Sequence, residues 1–167
     1  MPVTELDYVS VSGRAAELGC SLPEIAVMPD NFAVARSHKE LRVRGNSIAL
    51  RSVLENANFP LGSFCSAVER AASGDENFMH WEAGLFLSAS LLAREPYVVP
   101  VALSIIKAHL SEFFQSGPEK TIRLSLVVER RDRSCRKLVY EGDIAGLRAL
   151  AQSVSDVARE ALGNTVK

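Results

Sequence analysis

The stretch GLFLSASLLAREPYVVPVALSIIKAHLSEFF, residues 84–114, is the most apolar in this chain, and its reading decides the fold. It is a membrane span, a buried core, or an apolar surface awaiting a partner. A spanning helix needs about 20 apolar residues in a row. The run 83–93 reaches only 11 residues before Arg94-Glu95-Pro96 interrupts it. An arginine at mid-bilayer alone costs roughly 2.5–3.5 kcal/mol on insertion scales. Beyond the proline, Ser104, Lys107, Ser111 and Gln115 line up on one polar face of the next helix. No membrane span is expected.

Residues 83–93 are apolar all round, which marks a helix covered on most sides. Gly84 with Ser88, and Ala89 with Ala93, are small residues four apart that let a neighbouring helix approach closely. Buried core is therefore the first reading, and Leu87 is expected within it. Partner burial comes second. On the helix read from about Tyr97 to Gln115, Leu103, Ile106, Leu110, Phe113 and Phe114 belong to a broad apolar face that a partner protein or a second copy would cover.

Outward from this stretch, a strongly apolar helix is predicted from about Asn77 to Arg94, ended by Glu95-Pro96 because the residue before proline avoids the helical region. Pro100 is compatible with the following helix only in its first turn. Upstream, residues 12–19 read as a short amphipathic turn or helix. Two short apolar runs, 24–28 and 32–36, flank the turn signal Pro29-Asp30-Asn31. Residues 40–45 alternate like a strand. Asn46 or Ser47 can cap a helix carrying Ile48, Leu50, Val53, Leu54 and Ala57, and a further helix is predicted over 63–73.

The last third has the clearest pattern. Ile122, Leu124, Leu126 and Val128 alternate on one face of a strand, RRDRS makes a polar turn, and residues 135–141 return as its hairpin partner. Asp143 caps a long amphipathic helix with Ile144, Leu147, Leu150, Val154 and Val157 on one stripe, and Gly163 ends it. Strands and helices are thus segregated, which favours an α+β class. The expected architecture is a central block of about four helices packed with a small, mainly antiparallel sheet, ending in the hairpin and the long helix. A single domain over 1–167 is expected. The alternative is a helical domain, 1–116, with a small ββα module at 119–163.

Composition narrows the function. At 167 residues, 47% hydrophobic, 23% charged and with a net charge of −1, the chain has a core-forming composition and no global basic field for nucleic acid. The start, MPVTELDYVS, has no basic region before an apolar run, so no secretory signal is read. Cys20, Cys65 and Cys135 are odd in number and widely spaced, which suggests no disulfide framework and a cytoplasmic setting.

Motifs of catalysis are missing from the sequence. His109 and Glu112 lie three apart, but no second such pair completes a metal site. His80-Trp81-Glu82 has the His-x-Glu order of zinc deaminases without the Pro-Cys-x-x-Cys they also need. No nucleophile elbow or phosphate-cradling glycine loop is present, and GDIAG at 142–146 opens with an acid that would repel phosphate. No catalytic residue, metal ligand or cofactor site is assigned.

Two basic clusters remain. Residues 129–137 carry Arg130, Arg131, Arg133, Arg136 and Lys137 against Glu129 and Asp132; residues 36–44 carry Arg36, Lys39, Arg42 and Arg44 against Glu40. On a shared sheet they would form one basic surface for an acidic partner or nucleic acid. No aromatic residues interleave with the arginines to stack bases, so nucleic acid is the less favoured partner. A non-catalytic protein-binding or assembly subunit, self-associating or docking on a larger protein through the apolar helical face, is the expected function. Binding through the basic hairpin, or a small enzyme without a recognisable motif, are the alternatives.

Overall fold

The computed structural model describes residues 3–43, 45–64, 70–71, 80–113 and 121–161. In chain order these form β1 (Val3–Tyr8), α1 (Val11–Leu18), β2 (Ile25–Val27), β3 (Arg42–Val43), α2 (Gly45–Asn56), β4 (Arg70–Ala71), β5 (His80–Leu87), α3 (Ala89–Arg94), α4 (Val98–Phe113), β6 (Thr121–Glu129), β7 (Cys135–Gly142) and α5 (Ala149–Ala161). Five strands build one mixed sheet in the order β1-β7-β6-β5-β2, so both ends of the chain enter it. β5 and β6 are parallel, with Trp81 opposite Ile122 and Leu87 opposite Val128. Every other pair in this sheet is antiparallel. β3 and β4 form a separate two-stranded parallel sheet.

The α+β class stands, but the expected four-helix block with a small sheet does not. The sheet is the centre, and the error lies at residues 77–94. Residues 80–87 are a strand, and among the described residues of the expected long helix only 89–94 are helical. A strand covered on both faces loses its alternation and reads as a continuous apolar run, which periodicity cannot separate from a buried helix. In β5, Trp81, Ala83, Leu85 and Leu87 pack in one core while Phe86 packs in the other. The strand β1 was also unforeseen. Its alternation of Thr4, Leu6 and Tyr8 with Glu5 and Asp7 was the available signal. Of the helix expected over 63–73, residues 63–64 and 70–71 are described and none is helical, 70–71 forming β4; its other residues and Gly163 lie outside the described residues.

One face of the sheet carries the larger core. α4 lies between α2 and α5, and Leu50 and Leu54, Ile106 and Leu110, and Leu150 and Val154 meet Leu124, Leu126 and Leu138 from the strands. β5 and β6, being parallel, need a crossover, and α3 and α4 supply it over this face. On the opposite face, α1 and the segment after β2 cover one end of the sheet, where Val11, Ala15, Phe32 and Phe64 close over Phe86 and Val127. Arg14 holds that cover in place: its guanidinium donates to the carbonyl oxygens of Phe32 at 2.8 Å and Ala35 at 2.6 Å.

Local signals set the ends of the elements. Ser10 caps α1 by accepting from the Gly13 N–H at 3.1 Å, and Gly19 closes it at φ 72°. Ser88 caps α3 by accepting from the Leu91 N–H at 3.2 Å. Asp143 does act as a cap, but of a short 3₁₀ turn (Ile144–Gly146) that precedes α5. Asn46 accepts from the Glu82 N–H at 3.2 Å, so the start of α2 is tied to β5.

Cysteine usage departs from expectation, since Cys20 is disulfide-bonded. Cys135 is a free, buried thiol and pairs in register with Tyr8 of the edge strand. Burial pushes the Cys135 thiol up to about 11 and, as the main cause, the Tyr8 hydroxyl up to about 12. Unfolded, the two groups titrate near 9.0 and 10.0. The native state thus binds both protons more tightly, and this part of its stability is complete below the unfolded values and lost as pH rises through the folded ones. Urea midpoints are expected to be level from pH 7 to 8.5 and to fall between pH 9 and 11. A flat profile across that alkaline range would show that neither group is buried as described.

Candidate functional site

A cleft of about 480 Å³ opens where the parallel strands β5 and β6 end. In open sheets, ligands favour the crevice outside the carboxyl ends of the strands. Three segments meet there. Leu22, Pro23 and Glu24 arrive just before β2, Ser88 to Ala93 form the start of α3, and Glu129, Arg131 and Arg133 come from the end of β6 and the hairpin turn.

Glu129 is the unusual member. The alternation of β6 turns it to the face of Val127 and Phe86, and it is only 4% exposed. Its Oε1 accepts from the Ala89 N–H at 3.1 Å, but Oε2 is buried with no hydrogen-bond partner among the described residues. Arg133 Nη1 stands 3.7 Å from Oε2, beyond hydrogen-bond reach, with a side chain 66% exposed. A buried carboxylate with a bare oxygen is costly to the fold, since charge removed from water needs full pairing.

Arg133 is itself strained. It adopts φ 75°, a left-handed conformation in which glycine or asparagine is favoured at a hairpin turn. The turn holds it there: the Arg133 N–H donates to the Arg130 carbonyl at 2.8 Å, and Asp132 accepts from the Ser134 N–H at 3.0 Å. The Ser134 hydroxyl, as the largest cause, and the Ser134 N–H both donate to the Asp132 carboxyl and keep it below its usual range.

The rest of the cleft is internally balanced. Arg94 clamps Glu24 with two bonds, 2.7 and 2.9 Å, and Ser90 donates to the same carboxylate at 3.4 Å. The Arg94 bond holds the Glu24 carboxyl below its ordinary value. Glu129, Arg131 and Arg133 are the charges left facing the ligand space, against apolar walls from Leu22, Pro23, Ala89 and Ala93.

The five basic residues of the hairpin are not one surface. Arg136 lies on the helical side of β7 and is paired with Glu5 at 2.7 Å and with Asp7. Lys137 points to the other side, 5.7 Å from the Tyr8 ring centre. Arg130 donates to the Ser134 hydroxyl at 2.9 Å. Arg131 and Arg133 alone reach the cleft. Arg42 belongs to the separate two-stranded sheet, so the two basic segments do not share one.

Leu103, Ile106 and Leu110 turn inward and are at most 6% exposed. The Phe113 side chain and Phe114 lie outside the described residues. The large apolar residue that α4 shows to solvent is Val101, with Tyr97 just before the helix. A shallow groove of about 170 Å³ beside them runs between Pro96, Pro100, Ala151 and Ser155. His109 is half-buried, its ring centre 6.3 Å from that of Trp81, and burial lowers its pKa against an opposing pull from Glu112. Among the described residues, no group of three or more His, Cys, Asp or Glu side chains could hold a metal ion, and no helix is long and apolar enough to cross a membrane.

Sequence reasoning passed over Glu129 because it stood as one acid among seven charged residues. The signal it offered was position: a carboxylate closing the apolar run LVVE, on the parity of buried Val127. Glu24, Ser88 and Ser90 carried none. The chain matches no family model, no curated protein and no solved structure.

Proposed function

We propose that this protein is a non-catalytic binding module whose ligand seats in the cleft at the ends of β5 and β6. One observation carries the reading: Glu129, which lines a cleft rimmed by Arg131 and Arg133, has a buried Oε2 without a hydrogen-bond partner among the described residues. Folds retain such a costly group where it is used. Recognition fits the cleft better than catalysis. Among the described residues no His, Cys or Lys lines it, and Glu24 is already committed to Arg94, so these residues place no acid–base pair on the space. Because Cys20 is disulfide-bonded, and such bonds persist in oxidising compartments, the reading does not depend on the cytoplasmic setting expected from the sequence.

Titration of isotope-labelled protein with pooled small polar metabolites tests it. At least one compound is expected to shift the amide signals of Ala89, Ser90, Glu129 and Arg133 together. Shifts confined to other surfaces, or none from any pool, would contradict cleft binding.

Self-association is the second reading, favoured by Tyr97 and Val101, which are 78% and 48% exposed and one turn apart. Light scattering across a concentration series, with Tyr97→Ser beside the unchanged protein, decides it. A dimer that Tyr97→Ser dissociates supports this surface; a monomer at every concentration removes it.

A further inference from the structure

We propose that the cleft takes an α-amino acid with an aliphatic side chain, an inference that rests on the cleft being a binding site at all. The charges define the ligand. Glu129 Oε2 is a buried acceptor that needs a donor, and a cationic N–H group is the strongest match for a carboxylate. A lone cation, however, would sit beside Arg131 and Arg133. A lone anion suits those arginines but would be placed against the Glu129 charge. A ligand carrying an ammonium and a carboxylate on the same carbon satisfies both.

Geometry makes the exchange feasible. Arg133 stands 3.7 Å from Glu129 Oε2, close enough to soften the charge and too far to hydrogen-bond it. An incoming ammonium donates to Oε2. Arg133, whose side chain is 66% exposed, turns to the ligand carboxylate together with Arg131. A bidentate guanidinium–carboxylate pair is the geometry arginine is built for. The walls set the side chain. Leu22, Pro23, Ala89 and Ala93 are apolar, and the nearby Glu24 carboxylate is held by Arg94. An acidic or basic side chain would find no partner there, whereas an aliphatic one removes apolar surface from water. A volume of about 480 Å³ admits a single amino acid with its hydration and is in the range of small-ligand sites.

Calorimetric titration of the full chain with three probes tests the inference: L-leucine, 3-methylbutylamine, which lacks the carboxylate, and 4-methylpentanoate, which lacks the ammonium. L-leucine is expected to bind, and each single-charge analogue to bind about 10-fold more weakly or worse. Glu129→Gln should weaken L-leucine by a similar factor and leave 4-methylpentanoate unchanged or tighter. Equal binding of 4-methylpentanoate and L-leucine would overturn the inference and make this an anion site. If no amino acid binds but the metabolite pools yield another compound at Ala89 and Glu129, the amino-acid inference fails while cleft binding stands. If nothing binds by either method, both fall. The analogue series uses unaltered protein, so a variant that fails to fold leaves the test intact.

Discussion

Leu87→Ala is expected to lower the unfolding free energy by roughly 2–5 kcal/mol, the range for truncating a buried leucine. Leu87 is 1% exposed at the last position of β5, paired with Ile25 on one side and Val128 on the other. Its side chain lies among the residues of the larger core, in a sheet with a strand on each side, so the surroundings have little freedom to collapse into the space. Trp81 supplies the readout. It is the single tryptophan of the chain and fully buried at the other end of the same strand. Its fluorescence should report one cooperative urea transition, shifted to lower urea without change of slope in the variant. A loss under about 1 kcal/mol would show that β5 is not the central strand described.

A cost of similar size, roughly 2–5 kcal/mol, is expected for Leu110→Ala, and it should not depend on protein concentration. Leu110 is fully buried on α4, which α2 and α5 flank, so the chain itself covers this side chain. Were it part of a contact between copies, dilution would enlarge the apparent loss. Tyr97→Ser provides the contrast. Tyr97 is exposed, and its replacement should change monomer stability by no more than about 0.5 kcal/mol. Urea melts over a hundredfold range of concentration separate the two outcomes.

The difference between these residues explains how far the sequence could be read. Leu103, Ile106 and Leu110 carry a strong helical period, and that period says which face is apolar without saying what covers it. In the fold, the covering comes from α2 and α5, far away in the chain. The hairpin of β6 and β7 was legible because its partner strands are neighbours and alternate. α4 was legible because Pro100 marks its first turn, and α2 by its apolar period, although α2 begins at Gly45, ahead of the Asn46 or Ser47 expected as its cap. β5 was not, because a strand buried on both faces sheds the alternation that identifies it. The cleft was less legible still. It is assembled from residues 22–24, 88–93 and 129–133, and only the strand pairings β2–β5 and β5–β6 bring these segments to one place. Arg131 and Arg133 were noticed for their charge. That Glu129 is buried beside them is a consequence of topology.

Glu129 and Arg133 each burden the fold, one by an unsatisfied buried oxygen and the other by a left-handed backbone. If the cleft exists for a ligand, the protein should not need either. The most direct measurement is the urea stability of the double variant Glu129→Gln, Arg133→Gly. Glutamine keeps an oxygen for the Ala89 N–H while removing the buried charge, and glycine relieves the turn. The expected result is a protein as stable as the parent, or more stable by about 1 kcal/mol, that no longer binds in the cleft. A loss of about 2 kcal/mol or more would mean that Glu129 and Arg133 serve the fold itself, and the cleft would lose its claim to be a binding site.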